Sequence, residues 1–134
     1  MADQKQARLL LSMAEKDLRA LKGMANPETF AEEIFGFHVQ QAAEKALKAW
    51  VALRGLDVPR THLLSALLDQ LGQCGEVVEC HWSLVEYQMF AVQFRYETIG
   101  QQADAINRAE AVSLVEDIIG VVRRLERTLL PGAD

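Results

Sequence analysis

The chain has 134 residues, half of them hydrophobic and a quarter charged, with eight glycines and three prolines. This is ordinary globular composition, long enough to hold a core, and it excludes a disordered or collagen-like chain. A net charge of −5 at pH 7 speaks against a protein that works by gripping a phosphate backbone, so DNA is not an expected partner. No apolar run is long enough for a transmembrane helix.

Ala7, Leu10, Leu11, Ala14, Leu18 and Leu21 recur every three or four residues, with Lys5, Arg8, Glu15, Lys16, Arg19 and Lys22 between them. That spacing predicts an amphipathic helix with one buried stripe, and Gly23 is placed to end it. The apolar stretch near the N-terminus is too short for a secretory leader, so a cytoplasmic protein is expected. Asn26-Pro27-Glu28 predicts the start of a second helix. Asn26 caps, Pro27 lacks an N–H that the first turn leaves unpaired anyway, and Glu28 suits the positive end of the dipole. This helix runs past Gly36 to Arg54, where Gly55 supplies a left-handed stop and Pro59 prevents resumption. At about 100° per residue, Phe35, Val39, Ala43, Ala46, Leu47, Trp50 and Leu53 fill a core arc, and His38, Gln41, Glu44, Lys45 and Lys48 fill a second arc with Ile34 among them.

Thr61 is read as the cap of a short third helix through Leu63, Leu64, Leu67, Leu68 and Leu71, ended by Gly72, with a loop from Gln73 to about Val78. A fourth helix is expected from Glu79 to Tyr96, with Trp82, Val85, Met89 and Val92 on one face, and a connection around Gly100 follows. A fifth is expected from about Ala103 to Leu129, with Ala109, Val112, Ile119, Val122 and Leu129 as one of its stripes. The expected fold is all-α: an antiparallel up-and-down four-helix bundle with one additional short helix, in a single domain over residues 1–134. The fifth helix carries apolar residues on more than one face, and this uncovered surface predicts a homodimer.

Charge is uneven along the chain. Residues 1–25 carry five basic and three acidic groups, residues 38–60 four and two, and residues 61–121 two and nine. His38, Gln41, Lys45 and Lys48 lie on one side of the second helix, a row that suits an anion or a nucleotide phosphate. The same row also suits a solvated or interface face supported by Glu44 and Lys48 at i,i+4. His62, beside Arg60 and Thr61, fits a capping or packing role, and Arg95-Tyr96 closes the fourth helix, where a cation meets the negative end of the dipole. Trp50 and Trp82 are expected as core or interface anchors. Cys74 and Cys80 are expected as free thiols, since their separation and the nearby His81 do not make a structural zinc spacing. There is no glycine-rich phosphate loop and no paired Glu-x-x-His, and neither a metal nor another cofactor is expected.

The stretch Phe37-His38-Val39-Gln40-Gln41-Ala42-Ala43-Glu44-Lys45-Ala46-Leu47-Lys48-Ala49, followed by Gly55, Pro59, Thr61-His62-Leu63-Leu64 and later Phe94-Arg95-Tyr96, resembles the HEPN domain family. The resemblance extends from about residue 5 to residue 129. It implies a four- or five-helix up-and-down bundle, a homodimer, and kinship with the substrate-binding helical domain of aminoglycoside nucleotidyltransferases. It also implies a small nucleotidyltransferase encoded alongside, in some members as a toxin–antitoxin pair in which the HEPN protein cuts RNA. The ribonuclease members share an arginine followed, after four to six residues, by a histidine. Arg95 is the counterpart of that arginine, but Gly100, Gln101 and Gln102 stand in the histidine window, and no arginine precedes His38, His62 or His81 at that distance. No catalytic residue is assigned on this basis.

Residues and resemblance together point to a non-catalytic, homodimeric module that binds a nucleotide, a small nucleotidyltransferase, or both. Its contacts would be His38, Gln41, Lys45, Lys48, His62, Arg95 and Tyr96. Two alternatives stay open: a ribonuclease with a non-standard site around Arg95, and a purely structural interaction protein.

Overall fold

A computed structural model describes residues 3–92 and 105–130. Among them are five α-helices, one 3₁₀ helix and no strand: α1 (Gln4–Lys22), α2 (Glu32–Leu53), α3 (Leu64–Gln73), a 3₁₀ helix (Glu79–Tyr87), α4 (Met89–Val92) and α5 (Arg108–Leu129). The described residues adopt the expected all-α class. No helix of the described residues is long and apolar enough to cross a membrane.

In α1 the Asp3 carboxylate caps the first turn by accepting from the Gln6 N–H at 3.0 Å, and Ala7, Leu11, Ala14 and Leu21 are buried as the spacing predicts. The opposite edge of α1 carries a ladder of ion pairs to α5: Arg8 with Glu126, Glu15 with Arg123, and Lys22 with Glu116. Residue numbers rise along α1 as they fall along α5, so the two helices run antiparallel.

α2 sits in the middle, in contact with α1, α3, the 3₁₀ helix, α4 and α5. Every residue of its predicted core arc is buried. So are Ala42, Ala49 and Ala52, small side chains that let neighbours close on several sides at once. Gly36 serves the same end: a Cβ there would lie 2.6 Å from ring carbons of Phe90, so the ring packs directly on the α2 backbone.

Four boundaries differ from expectation. α2 begins at Glu32, not at Pro27. Asn26 instead closes a local turn, its Oδ1 accepting from the Glu28 N–H and its carbonyl from those of Thr29 and Phe30. The Arg108 guanidinium then takes the Met24 and Phe30 carbonyls at 2.7 and 2.6 Å, holding this segment out of the helix. Thr61 caps a turn, its Oγ1 accepting from the Leu63 N–H, while α3 starts at Leu64 and passes Gly72 to end at Gln73. The left-handed position after it falls to Gly75, with φ +89°, as Gly55 takes that role after α2 with φ +75°.

Over residues 79–92 the expected fourth helix is a 3₁₀ helix and one turn of α-helix, and its last four expected residues lie outside the described ones. A three-residue repeat superposes i and i+3, so its buried line is His81, Leu84, Tyr87 and Phe90, and Trp82 and Met89 stand exposed. α5 begins at Arg108, where the Asn107 side chain accepts from the Glu110 N–H at 3.0 Å. Its buried stripe is Ala111, Val115, Ile118, Ile119 and Val122, so Ala109 and Leu129, expected in a stripe, are exposed.

Candidate functional site

Burial of α2 on most sides leaves one strip partly open to solvent: the exposed Ile34 and the half-buried Phe37, His38, Gln41, Lys45 and Lys48. The predicted polar row lies along it, and the chain divides that row into two networks. In the first, Lys45 Nζ donates to Asp17 Oδ2 of α1 at 2.7 Å, and His38 Nδ1 lies 3.8 Å from the same carboxylate with no hydrogen-bond partner. In the second, the buried Glu44 carboxylate accepts from Lys48 Nζ at 2.9 Å and Gln40 Nε2 at 2.7 Å, and faces His62 Nδ1 at 3.0 Å. Gln40 also donates to the His62 carbonyl at 3.2 Å, and Gln41 donates to Gln40 Oε1 at 2.7 Å.

These contacts fix the electrostatics. Burial works against ionisation of Glu44, but hydrogen bonds from Lys48, Gln40 and His62 outweigh it and hold the carboxyl below its usual range. Lys45 and Lys48 are therefore each neutralised by a carboxylate inside the chain, and the row is not a free cationic track. His62 is joined to the network at Nδ1 while its side chain remains mostly exposed. A carboxylate placed in this way orients an imidazole and sets its tautomer.

His38, Gln41, Lys45, Lys48 and His62 are thus brought to one region, split between Asp17 and Glu44. Arg95 and Tyr96 lie outside the described residues, as do the glycine and glutamines of the histidine window. Sequence reasoning passed over Asp17, Gln40 and the depth of Glu44. Asp17 gives no local signal, because it meets Lys45 only through the packing of α1 on α2. Glu44 does give one: it lies between Ala43 and Ala46-Leu47 with a lysine four residues on.

Trp50 is buried, as expected. Its indole N–H donates to Glu76 Oε1 at 2.7 Å, which also receives Arg54 Nε at 2.5 Å, and the ring meets His81 edge-on at 5.7 Å. Burial pushes the His81 pKa down, partly opposed by Asp117. Cys74 and Cys80 are free and exposed, and no group of metal-ligating side chains gathers among the described residues.

A second polar centre joins the start of α2 to the start of α5. Arg108 pairs with Glu32 and lies 4.8 Å over the Phe35 ring, and Glu32 also accepts from the Ile106 N–H at 2.6 Å. Burial opposes ionisation of Glu32, yet the contacts with Ile106 and Arg108 hold its pKa low. Nearby, Glu86, Tyr87, Phe90, Ile106, Asn107 and Glu110 border a cavity of about 390 Å³. Burial, with Glu86 and Glu110 close by, raises the Tyr87 pKa, so its phenol stays protonated and the cavity wall is acidic. Of the predicted site residues, none of those described, His38, Gln41, Lys45, Lys48 and His62, lines it.

Compared with known families, residues 7–127 match the model described as the HEPN domain. No curated protein and no solved structure matches the chain significantly.

Proposed function

The chain belongs to the HEPN domain family, and on that premise we propose that it is a non-catalytic binding module. It acts as a homodimer, with its helices in the family's antiparallel up-and-down arrangement, and holds a small nucleotidyltransferase through the open strip of α2. One observation carries this reading: Lys45 and Lys48 are paired with Asp17 and Glu44, and exposed apolar side chains flank the same networks in sequence, Met13 one turn before Asp17, Ile34 one turn before His38 and Leu63 next to His62. Charges neutralised within the chain and set next to apolar surface suit a protein interface. A nucleotide phosphate would have to displace a carboxylate to reach either lysine, so nucleotide is the secondary ligand, bound once the partner supplies further contacts.

The test is recovery of the tagged protein from its native cells, with its companions identified by mass spectrometry and nucleotide binding followed by calorimetry. The reading expects a nucleotidyltransferase among the companions, lost in Ile34→Asp and Leu63→Asp variants that melt like wild type. It also expects no nucleotide heat from the isolated chain up to about 1 mM. Tight nucleotide binding by the chain alone would overturn it.

A second reading rests on the contact of Glu44 with His62 Nδ1. A carboxylate that orients an imidazole is the arrangement of a general base, and with Arg95 it would support RNA cleavage. Labelled single-stranded RNA incubated in EDTA tests it. Cutting that disappears in both His62→Ala and Arg95→Ala would favour the ribonuclease over the binding module.

A further inference from the structure

The outward line of α5 runs through Ala109, Ser113, Asp117, Gly120, Arg124 and Arg127, and all but the half-buried Gly120 are exposed. Toward α1 its charges are used inside the chain, Glu116 with Lys22 and Arg123 with Glu15. On the outward line Asp117, Arg124 and Arg127 make no ion pair among the described residues, although the Asp117 charge also acts on His81. Asp117 and Arg124 stand two helical turns apart, about 10 Å along the axis, with Gly120 near the middle. Arg124 reaches back toward it, Nη1 lying 3.5 Å from where a Gly120 Cβ would be.

We propose that this line is the homodimer interface, with two α5 helices packed antiparallel across a two-fold axis near Gly120, so that Asp117 of each chain pairs with Arg124 of the other. This rests on the homodimer reading above and names its surface. The argument is charge complementarity combined with symmetry. A two-fold interface must be complementary to itself, and a helix with acid on one side of its midpoint and base at the matching distance on the other meets that condition only when antiparallel. The same operation sets Ser113 opposite the partner's Arg127, small against long. Concavities of about 330 and 380 Å³ border the line on its α1 side, the first touching Glu116, Gly120 and Arg123, the second Ala109, Val112 and Ser113. They leave room for the partner's long side chains.

The experiment is sedimentation equilibrium of the full chain as wild type, Asp117→Arg, Arg124→Asp and the double swap. The far-UV circular dichroism spectrum serves as the folding control, with helical content expected to be unchanged because neither site has an intramolecular ion pair to lose among the described residues. The proposal expects a wild-type dimer, weakening by more than about ten-fold in each single variant, where like charges now face each other, and recovery in the double swap. A wild-type dimer that both single variants preserve places the interface elsewhere and overturns the proposal while leaving the homodimer intact. A wild-type chain that stays monomeric overturns both. A double swap no better than the single variants overturns the pairing of Asp117 with Arg124.

Discussion

α2 and α5 are both 22 residues long, and they handle charge in opposite ways. α2 is enclosed by every other helix, and its lysines find their anions within the chain, Asp17 on α1 and Glu44 one turn back. α5 buries one stripe and keeps an outward line on which Asp117 and Arg124 make no ion pair within their own chain among the described residues. Charge spent inside the molecule stabilises the fold and is lost to recognition. Charge left in self-matching order on an outer line is available to a second copy. On the proposed reading the contrast separates two surfaces, one offered to the chain's own twin and one, half apolar and electrically quiet, offered to a different protein.

The largest effect expected from this contrast is at Trp50. Trp50→Ala should lower the unfolding free energy in denaturant by about 3–5 kcal/mol, because the ring fills the α2 core and satisfies Glu76. Glu44→Ala should cost about 3 kcal/mol, since it leaves Lys48 and Gln40 without their buried acceptor. Gly36→Ala follows at about 1–3 kcal/mol, as the Phe90 ring must move off the backbone; near-UV circular dichroism should register that shift.

The pH dependence has a definite sign. The Glu44 carboxyl titrates below its ordinary value of 4.5 in the folded chain, so its contribution is full above that value and is lost as the pH falls through the folded pKa. Glu44→Gln should therefore flatten the decline of stability on acidification. At the small end, Arg124→Ala should change chain stability by no more than about 0.5 kcal/mol. A cost there as large as at Glu44 would erase the distinction between the two helices.

The buried stripes of α1 and α2 were legible in the sequence, because each is set by spacing within one helix. The start of α2 was not: Asn26-Pro27-Glu28 has the chemistry of a helix start, but Arg108, far along the chain, claims the Met24 and Phe30 carbonyls. The 3₁₀ helix escaped for a different reason. Reading 100° per residue across Glu79–Tyr87 selects Trp82 and Val85, whereas the three-residue repeat buries His81, Leu84 and Tyr87. In the candidate site the row of polar residues was visible, and the pair Glu44–Lys48 with it. Its division between Asp17 and Glu44 depends on α1 and the turn at His62 packing against α2, and no local pattern encodes that.

The central claim, that α5 carries charge meant for a second copy, is tested most directly by mixing. Asp117→Arg and Arg124→Asp chains, each alone, should sediment at the mass of one chain. Combined in equal amounts they should form a heterodimer at twice that mass. The arginine introduced in one chain then faces the aspartate introduced in the other, and the native Arg124 of the first faces the native Asp117 of the second, so every contact is attractive. A mixture that remains at single-chain mass beside a dimeric wild type would contradict it.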